Sequence, residues 1–287
     1  MKNNSLSRAS KRMSFWVDRI FTISAWFFAG LALLLPLLIL GFIFVKGISV
    51  ISLEFLTQGP KGFPLGTSGG IRPAIMGSLA LVGIGLMIAF PVGVLSGIYI
   101  SEYSKSPLFN RVIQFLSESM AAIPSMVYGL FGYSFLVVFF AMKISLLAGG
   151  ITLGLIMFPV ILIGTHESMK TVEWCYREAS MAMGVTKAYA IKSIIFRKAF
   201  PGILAATILA AGHAFGSAAP VLYTASVIFY NGPIKPSAPV MTLPTHLYYL
   251  IAEAISFEHA YGTALVLISI LLCVNLVAMK IKSLTRV

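Results

Sequence analysis

A histidine, His213, lies deep inside a long uncharged run, with Ser217 four residues beyond it. Residues four apart share a face of a helix, so the two could meet a solute crossing that run together. From Pro201 to His213 is about 18 Å of helix, close to the middle of a bilayer. An ionisable group at that depth is costly and by default a functional candidate. Gly212, Gly216 and the alanines around them also form a small-residue packing surface. Ser125, beside Pro124 in another uncharged run, and Thr224, beyond Ser217, complete a set of pathway candidates. An enzyme would need a nucleophile with its base, or a metal cluster, and His213 with scattered serines makes neither. His166 and Glu167 are adjacent, without metal-ligand spacing, and read as a helix cap. Cys175 and Cys273 read as inert thiols. The chain has no glycine–lysine loop to cradle a nucleotide, so it is expected to bind no cofactor itself.

A second stretch carries chemistry of another kind. Glu178–Phe200, "EASMAMGVTKAYAIKSIIFRKAF", is basic and periodic, and a glycine interrupts it. Met169, Val172, Cys175 or Tyr176, Ala179 and Met183 recur at helical spacing. Gly184 is placed to end that helix in a left-handed cap, and Thr186 to start a second helix. The second helix, with Ala188, Ile191, Ile194 and Ile195 on its apolar face, would end where Pro201 opens the next span. Small residues (Ala179, Ser180, Ala182) just before the turn would let a partner's backbone come close. An interfacial hairpin resting on anionic lipid is the alternative.

The elements that must position these residues are membrane helices. Of the 287 residues 58% are hydrophobic and 10% charged, whereas a soluble domain carries about 25% charged residues. Uncharged runs long enough to span a bilayer occur at 21–45, 73–101, 119–142, 144–165, 199–230 and 260–279. The first run is too long for a signal-peptide core and reads as a retained span. With both termini in the cytoplasm, sixteen of the twenty-one Lys and Arg residues fall inside, as the positive-inside bias requires. The net charge of +12 is therefore explained by topology and needs no nucleic acid. The expected fold is all-α and polytopic with six transmembrane helices. Residues 1–20 form a basic cytoplasmic end, 21–45 the first span and 46–72 an external loop. Residues 73–230 form a core of four spans that includes the cytoplasmic loop 166–199. A second external loop, 231–259, precedes the last span and basic C-terminus, 260–287. Glu118 could pair with Arg111.

"EASMAMG", followed after nine residues by Ile194, resembles the Glu-Ala-Ala…Gly…Ile signature of ABC-importer permeases. In that family the loop is a coupling helix docked on an ATPase subunit. The resemblance assigns this role to Glu178, Ala179, Ser180 and Gly184, with Ser180 in place of the second alanine. Phe196-Arg197 replaces the family's Leu-Pro, while "AFPGI" at 199–203 is retained in sense. "GGIRPAIMGSLALV", "GVLSGIYISEYSK", "IPSMVYGLFG", "SLLAGGITLGLIMFPVI" and "FPGILAATILAAGHAFGSAAPVLYTA" are similar to PstA-type permeases of phosphate importers, over about residues 66–228. The resemblance implies the type I importer permease fold, a phosphate pathway, a sister permease, two ATPase subunits and an extracytoplasmic phosphate-binding protein. The external loops are where such a binding protein would meet the chain.

One departure bears on the solute. The family's fifth-span pattern reads roughly Gly-Arg-Ala-x-Gly-Glu-Thr-Ala-Pro; here it is Gly212-His213-Ala214-Phe215-Gly216-Ser217-Ala218-Ala219-Pro220. An arginine often seen late in the fourth span is here Ile163. Arginine grips phosphate with a fixed planar fork, and histidine is cationic only part of the time near neutral pH. Either a sister permease supplies the charges, or the solute is another oxyanion or a less charged molecule. An ion-driven secondary transporter would carry acidic groups at membrane depth, and the nine here fall in loops or near span ends.

Overall fold

The computed structural model describes residues 3–230 and 232–283. Lys2 and Arg286, counted in the expected basic ends, lie outside the described residues. The elements are helical apart from a two-stranded hairpin. They run α1 (Asn3–Ile48), α2 (Leu53–Thr57), β1 (Pro60–Lys61), β2 (Ser68–Gly69), α3 (Arg72–Ile98), α4 (Pro107–Ala122) and α5 (Ser125–Gly132). After these come α6 (Leu146–Lys170), α7 (Trp174–Ala182), α8 (Lys187–Ala190), α9 (Phe196–Phe215), α10 (Ala218–Thr224), α11 (Leu243–Ala252) and α12 (Phe257–Ser283). Wider π-helical turns extend α3 over Tyr99–Tyr103, extend α5 over Tyr133–Phe139, and join α8 to α9 over Ile191–Ile195.

Local chemistry sets several of the helix starts. Ser52, Ser106 and Ser145 are N-caps whose side chains accept backbone N–H bonds from Phe55, Phe109 and Ala148. Proline follows at the first turn of α3 and α4, where its missing N–H leaves no bond unmade. The strands pair antiparallel, Pro60 with Gly69 and Lys61 with Ser68.

The core forms where α3 packs along α6, and α9 packs on α6 and touches α3. Gly85 and Gly154 face one another across the first seam: a Cβ on Gly85 would lie 3.0 Å from the Gly150 carbonyl oxygen and 3.2 Å from the Gly154 nitrogen. Backbones this close permit hydrogen at both positions and little else. Leu81, Leu153, Met157 and Ile161 fill the seam and are essentially inaccessible. α12 packs on α9, and α1 reaches the bundle through α12, with Phe42 edge-on to Tyr261 at 5.6 Å.

Among the described residues, five helices are long and apolar enough to cross a membrane, and a bent pair supplies a sixth crossing if its halves count as one span. That pair corrects the expectation of a single third span at 119–142. Pro107–Ala122 and Ser125–Phe139 meet at 93°. Pro124 lacks a backbone donor and drives Ile123 into extended backbone (φ −66°, ψ 130°), so the helix stops instead of kinking. The fifth span also differs from 199–230. A continuous helical run begins at Lys187 and ends at Phe215, where Ser217 turns extended before α10 begins. The expected second arm of the 166–199 hairpin is thus the first turns of the span itself. Pro201 sits within that helix, which loses one hydrogen bond there and continues. Glu118 accepts a 3.0 Å bond from Gln114, one turn away, not from Arg111 two turns away.

Candidate coupling helix and translocation pathway

α7 and the turn after it form a compact polar structure at one end of the bundle. Gly184 adopts φ +67°. Its N–H donates to the Met181 carbonyl at 3.0 Å and that of Val185 to the Ser180 carbonyl at 3.4 Å, the paired bonds of a Schellman cap. Thr186 then caps the next helix, its hydroxyl accepting from the Tyr189 N–H. Nothing lies within 4 Å of a Cβ built on Gly184, so backbone conformation, not space, selects glycine.

Of the expected coupling residues, Glu178, Ala179 and Gly184 are exposed, and Ser180 is buried with its hydroxyl on the Tyr176 carbonyl at 2.7 Å. The single helix expected from Met169 to Met183 is divided. Met169 is buried at the end of α6 and Val172 in the linker, while on the α7 side Cys175 and Ala179 are exposed, Tyr176 is half-buried and Met183 is 78% exposed. Trp174, Met181, Met183 and Tyr189 together present a largely exposed apolar surface around the turn. Glu173 accepts a hydrogen bond from the Cys175 thiol, and that carboxylate pushes the thiol's pKa up.

Sequence reasoning missed the residues that anchor this helix. Arg177 donates through Nη2 to Glu102 at 2.6 Å and to the Met169 carbonyl at 3.0 Å, and through Nη1 to the Val172 carbonyl at 2.7 Å. Lys187 donates to the Glu102 carbonyl and lies over the Tyr103 ring, 5.0 Å from its centroid. Glu102 and Arg177 are 75 positions apart, so no periodicity links them. The one hint was their common place at span ends. A cavity of about 580 Å3 lies beside the pair, walled also by Lys170, Trp174 and Ile191.

The pathway candidates divide. His213 and Ser125 line one cavity of about 230 Å3, together with Pro124, Tyr128, Ile156 and Val160, at the break between α4 and α5. Tyr128 holds that corner by donating to the Met120 carbonyl at 2.8 Å. Ser217 lies past the end of α9, and its hydroxyl donates to the His213 carbonyl at 2.9 Å, closing that helix end. Thr224 is fully buried, donates to the Pro220 carbonyl at 2.7 Å and packs where α5 meets α6.

The chain is thus a bundle of membrane-length helices with a broken helix and a cavity at the break. A family model described as the binding-protein-dependent transport system inner membrane component matches residues 89–282, and the chain belongs to that family. It is a multi-pass protein of the cell membrane. Among curated relatives, the "probable phosphate transport system permease protein PstA" of Methanocaldococcus jannaschii is 33% identical, covering 90% of each chain. The "phosphate transport system permease protein PstA" of Haemophilus influenzae is 32% identical over 80% of this chain and 81% of its own. The "probable ABC transporter permease protein YqgI" of Bacillus subtilis is 28% identical over 80% and 83%. Solved structures of similar fold include the MetNI methionine ABC transporter, with TM-score 0.55 and 17% identity over 74% of this chain and 94% of that one. A bacterial ABC transporter involved in alginate import aligns with TM-score 0.53 and 13% identity over 99% of both chains. The fold is that of ABC importer permeases.

Proposed function

We propose that this chain is a permease subunit of an ATP-driven phosphate importer. It would form the translocation path with a sister permease and dock ATPase subunits through α7 and the Gly184 turn. The observation that carries this reading is identity above 30% to phosphate permeases over most of both chains. The exposed apolar residues around Gly184 supply a docking surface, and Ser125, Tyr128 and His213 bring polar groups to the otherwise apolar cavity at the α4–α5 break. The mechanism is alternating access. ATP-driven closure of the motor subunits displaces α7, and the continuous helix from Lys187 to Phe215 carries that displacement to His213. A coupling element works only if its two states differ in free energy at that surface. ATP, magnesium and an external binding protein enter through partner chains.

A second reading, transport of another oxyanion or a less charged solute, is favoured by His213, Ser217 and Ile163 standing where charged residues are expected. Competition for uptake distinguishes the two. Phosphate uptake by the complete complex should resist excess sulfate, molybdate and phosphonate; displacement by one of these identifies the other solute. Gly184→Ile should leave membrane insertion intact and abolish ATP-coupled uptake. Normal uptake by that variant would contradict the coupling role.

A further inference from the structure

α7 is nine residues long, and Ser180 is its one buried residue. A helix of that length is marginal on its own, and its apolar anchorage is limited to half-buried Tyr176 packed against the core. Yet a lever must be held in one geometry to transmit force. The holding is done by charge. Arg177 reaches from α7 to three acceptors: the Glu102 carboxylate beyond the end of α3, and the carbonyls of Met169 and Val172 at the end of α6. The two charged side chains are only 13% and 7% exposed, Arg177 and Glu102 respectively. A buried pair is poor evidence of stabilisation, because desolvation offsets most of the attraction, whereas fixing a unique geometry is an attested use. Glu102 itself lies in the π-helical turn Tyr99–Tyr103, a wider turn of a kind frequent at functional sites. From the other side of Gly184, Lys187 bonds the Glu102 carbonyl and covers Tyr103. Both arms of the coupling turn thus grip the same corner of α3.

Building on the coupling role proposed for α7, we propose that Arg177 and Glu102 are positioning residues that clamp α7 to α3 and α6 at once. Motion imposed on α7 then reaches two neighbouring spans directly, and does not depend only on the linker between α6 and α7. The planar guanidinium is suited to this because its donors point in several fixed directions. A lysine also has three donors, but they radiate from a single nitrogen and match a carboxylate and two separate carbonyls less well.

The test uses the complete transporter, co-expressed with its ATPase and binding protein and reconstituted in liposomes. Arg177→Ala, Arg177→Lys, Glu102→Ala, Glu102→Gln, the double alanine variant and Gly184→Ile are compared. Three quantities are read: recovery of intact complex, basal ATPase activity, and inorganic phosphate uptake per ATP hydrolysed. Each single alanine variant should assemble, retain basal hydrolysis and lose about tenfold or more of its uptake per ATP. The double variant should be no worse than the poorer single one, since removing both charges leaves neither buried alone. Arg177→Lys and Glu102→Gln, which keep bulk and part of the bonding, should fall between. Uptake per ATP within twofold of wild type in both single alanine variants overturns the clamp. So do losses that multiply in the double variant, and so does loss of assembly in both conservative variants, which would make the pair merely structural. If Gly184→Ile fails while the clamp variants transport normally, the clamp alone is wrong. If all transport normally, the coupling role of α7 falls with it.

Discussion

α1 and α6 are both long apolar helices fit to cross a membrane, yet none of the most apolar stretch of α1 is buried in this chain and 67% of that of α6 is. Glycine alone does not explain the difference. Gly30 and Gly41 of α1 have nothing within 4 Å of a would-be Cβ, while Gly149, Gly150 and Gly154 of α6 each touch a neighbouring element. What separates the two is grouping. α6 places its small residues in a tight cluster that lets a second backbone approach, and α3 answers with Gly85, Gly93 and Gly97 along its own facing side. α1 spaces bulky Leu and Phe around its whole circumference, and these remain exposed. In lipid, hydrophobicity selects where a helix resides, and shape selects what it touches.

The sharpest way to break this contrast is to spoil the α3–α6 seam. Gly85→Val would thrust branched carbons toward the Gly150 carbonyl and Gly154 nitrogen, backbone atoms that cannot swing aside as the Met157 methyl can. Overpacking of this sort costs about 3 kcal/mol or more when the backbone cannot yield. Thermal unfolding of the purified protein in detergent should show a large fall in melting temperature. An unchanged value would mean the seam is looser than its geometry.

Burial around the same bundle also has an electrostatic signature. His246 of α11 is 2% exposed, sits edge-on to Phe229, and is depressed from the usual histidine range to about 4, first by desolvation and then by His259. The folded state therefore keeps this ring neutral while the unfolded chain, with an ordinary value near 6.5, takes up a proton. Stability is full above about pH 6.5 and declines as pH falls toward 4, by at most about 3 kcal/mol at about 1.4 kcal/mol per unit. Melting followed from pH 7.5 to 4 should trace that decline, and His246→Phe should make it smaller, leaving the part owed to His259. A smaller effect is expected at Ser78. Its hydroxyl accepts the buried Leu243 N–H at 2.9 Å, joining α3 to the start of α11, and Ser78→Ala should cost about 2 kcal/mol.

The spans and the glycine turn were legible because both follow from short-range rules. Long apolar runs give membrane helices, and a glycine after a helical repeat gives the left-handed cap found at Gly184. Three things were hidden. The stop at Ile123–Pro124 was hidden because a proline in an apolar run can kink a helix or end it, and surrounding packing decides which. The fusion of the coupling arm with the fifth span was hidden for the same reason at Pro201, with the opposite outcome. The Glu102–Arg177 contact was illegible on different grounds: it joins ends of two elements that only the assembled bundle brings together.

The smallest effect belongs to α1, and it is informative for being small. Gly30→Leu adds a large side chain to open space and replaces a poor helix former with a good one. The isolated chain should be no less stable than wild type, with a gain of at most about 1 kcal/mol, against the large loss at Gly85. The same substitution can then be measured in the complete transporter. If α1 meets only lipid there, the same result persists. If a neighbouring subunit packs on it, Gly30→Leu should destabilise the complex while sparing the free chain, because the contact it obstructs exists only after assembly. That pair of measurements separates a helix that merely anchors from one whose partner lies outside this chain.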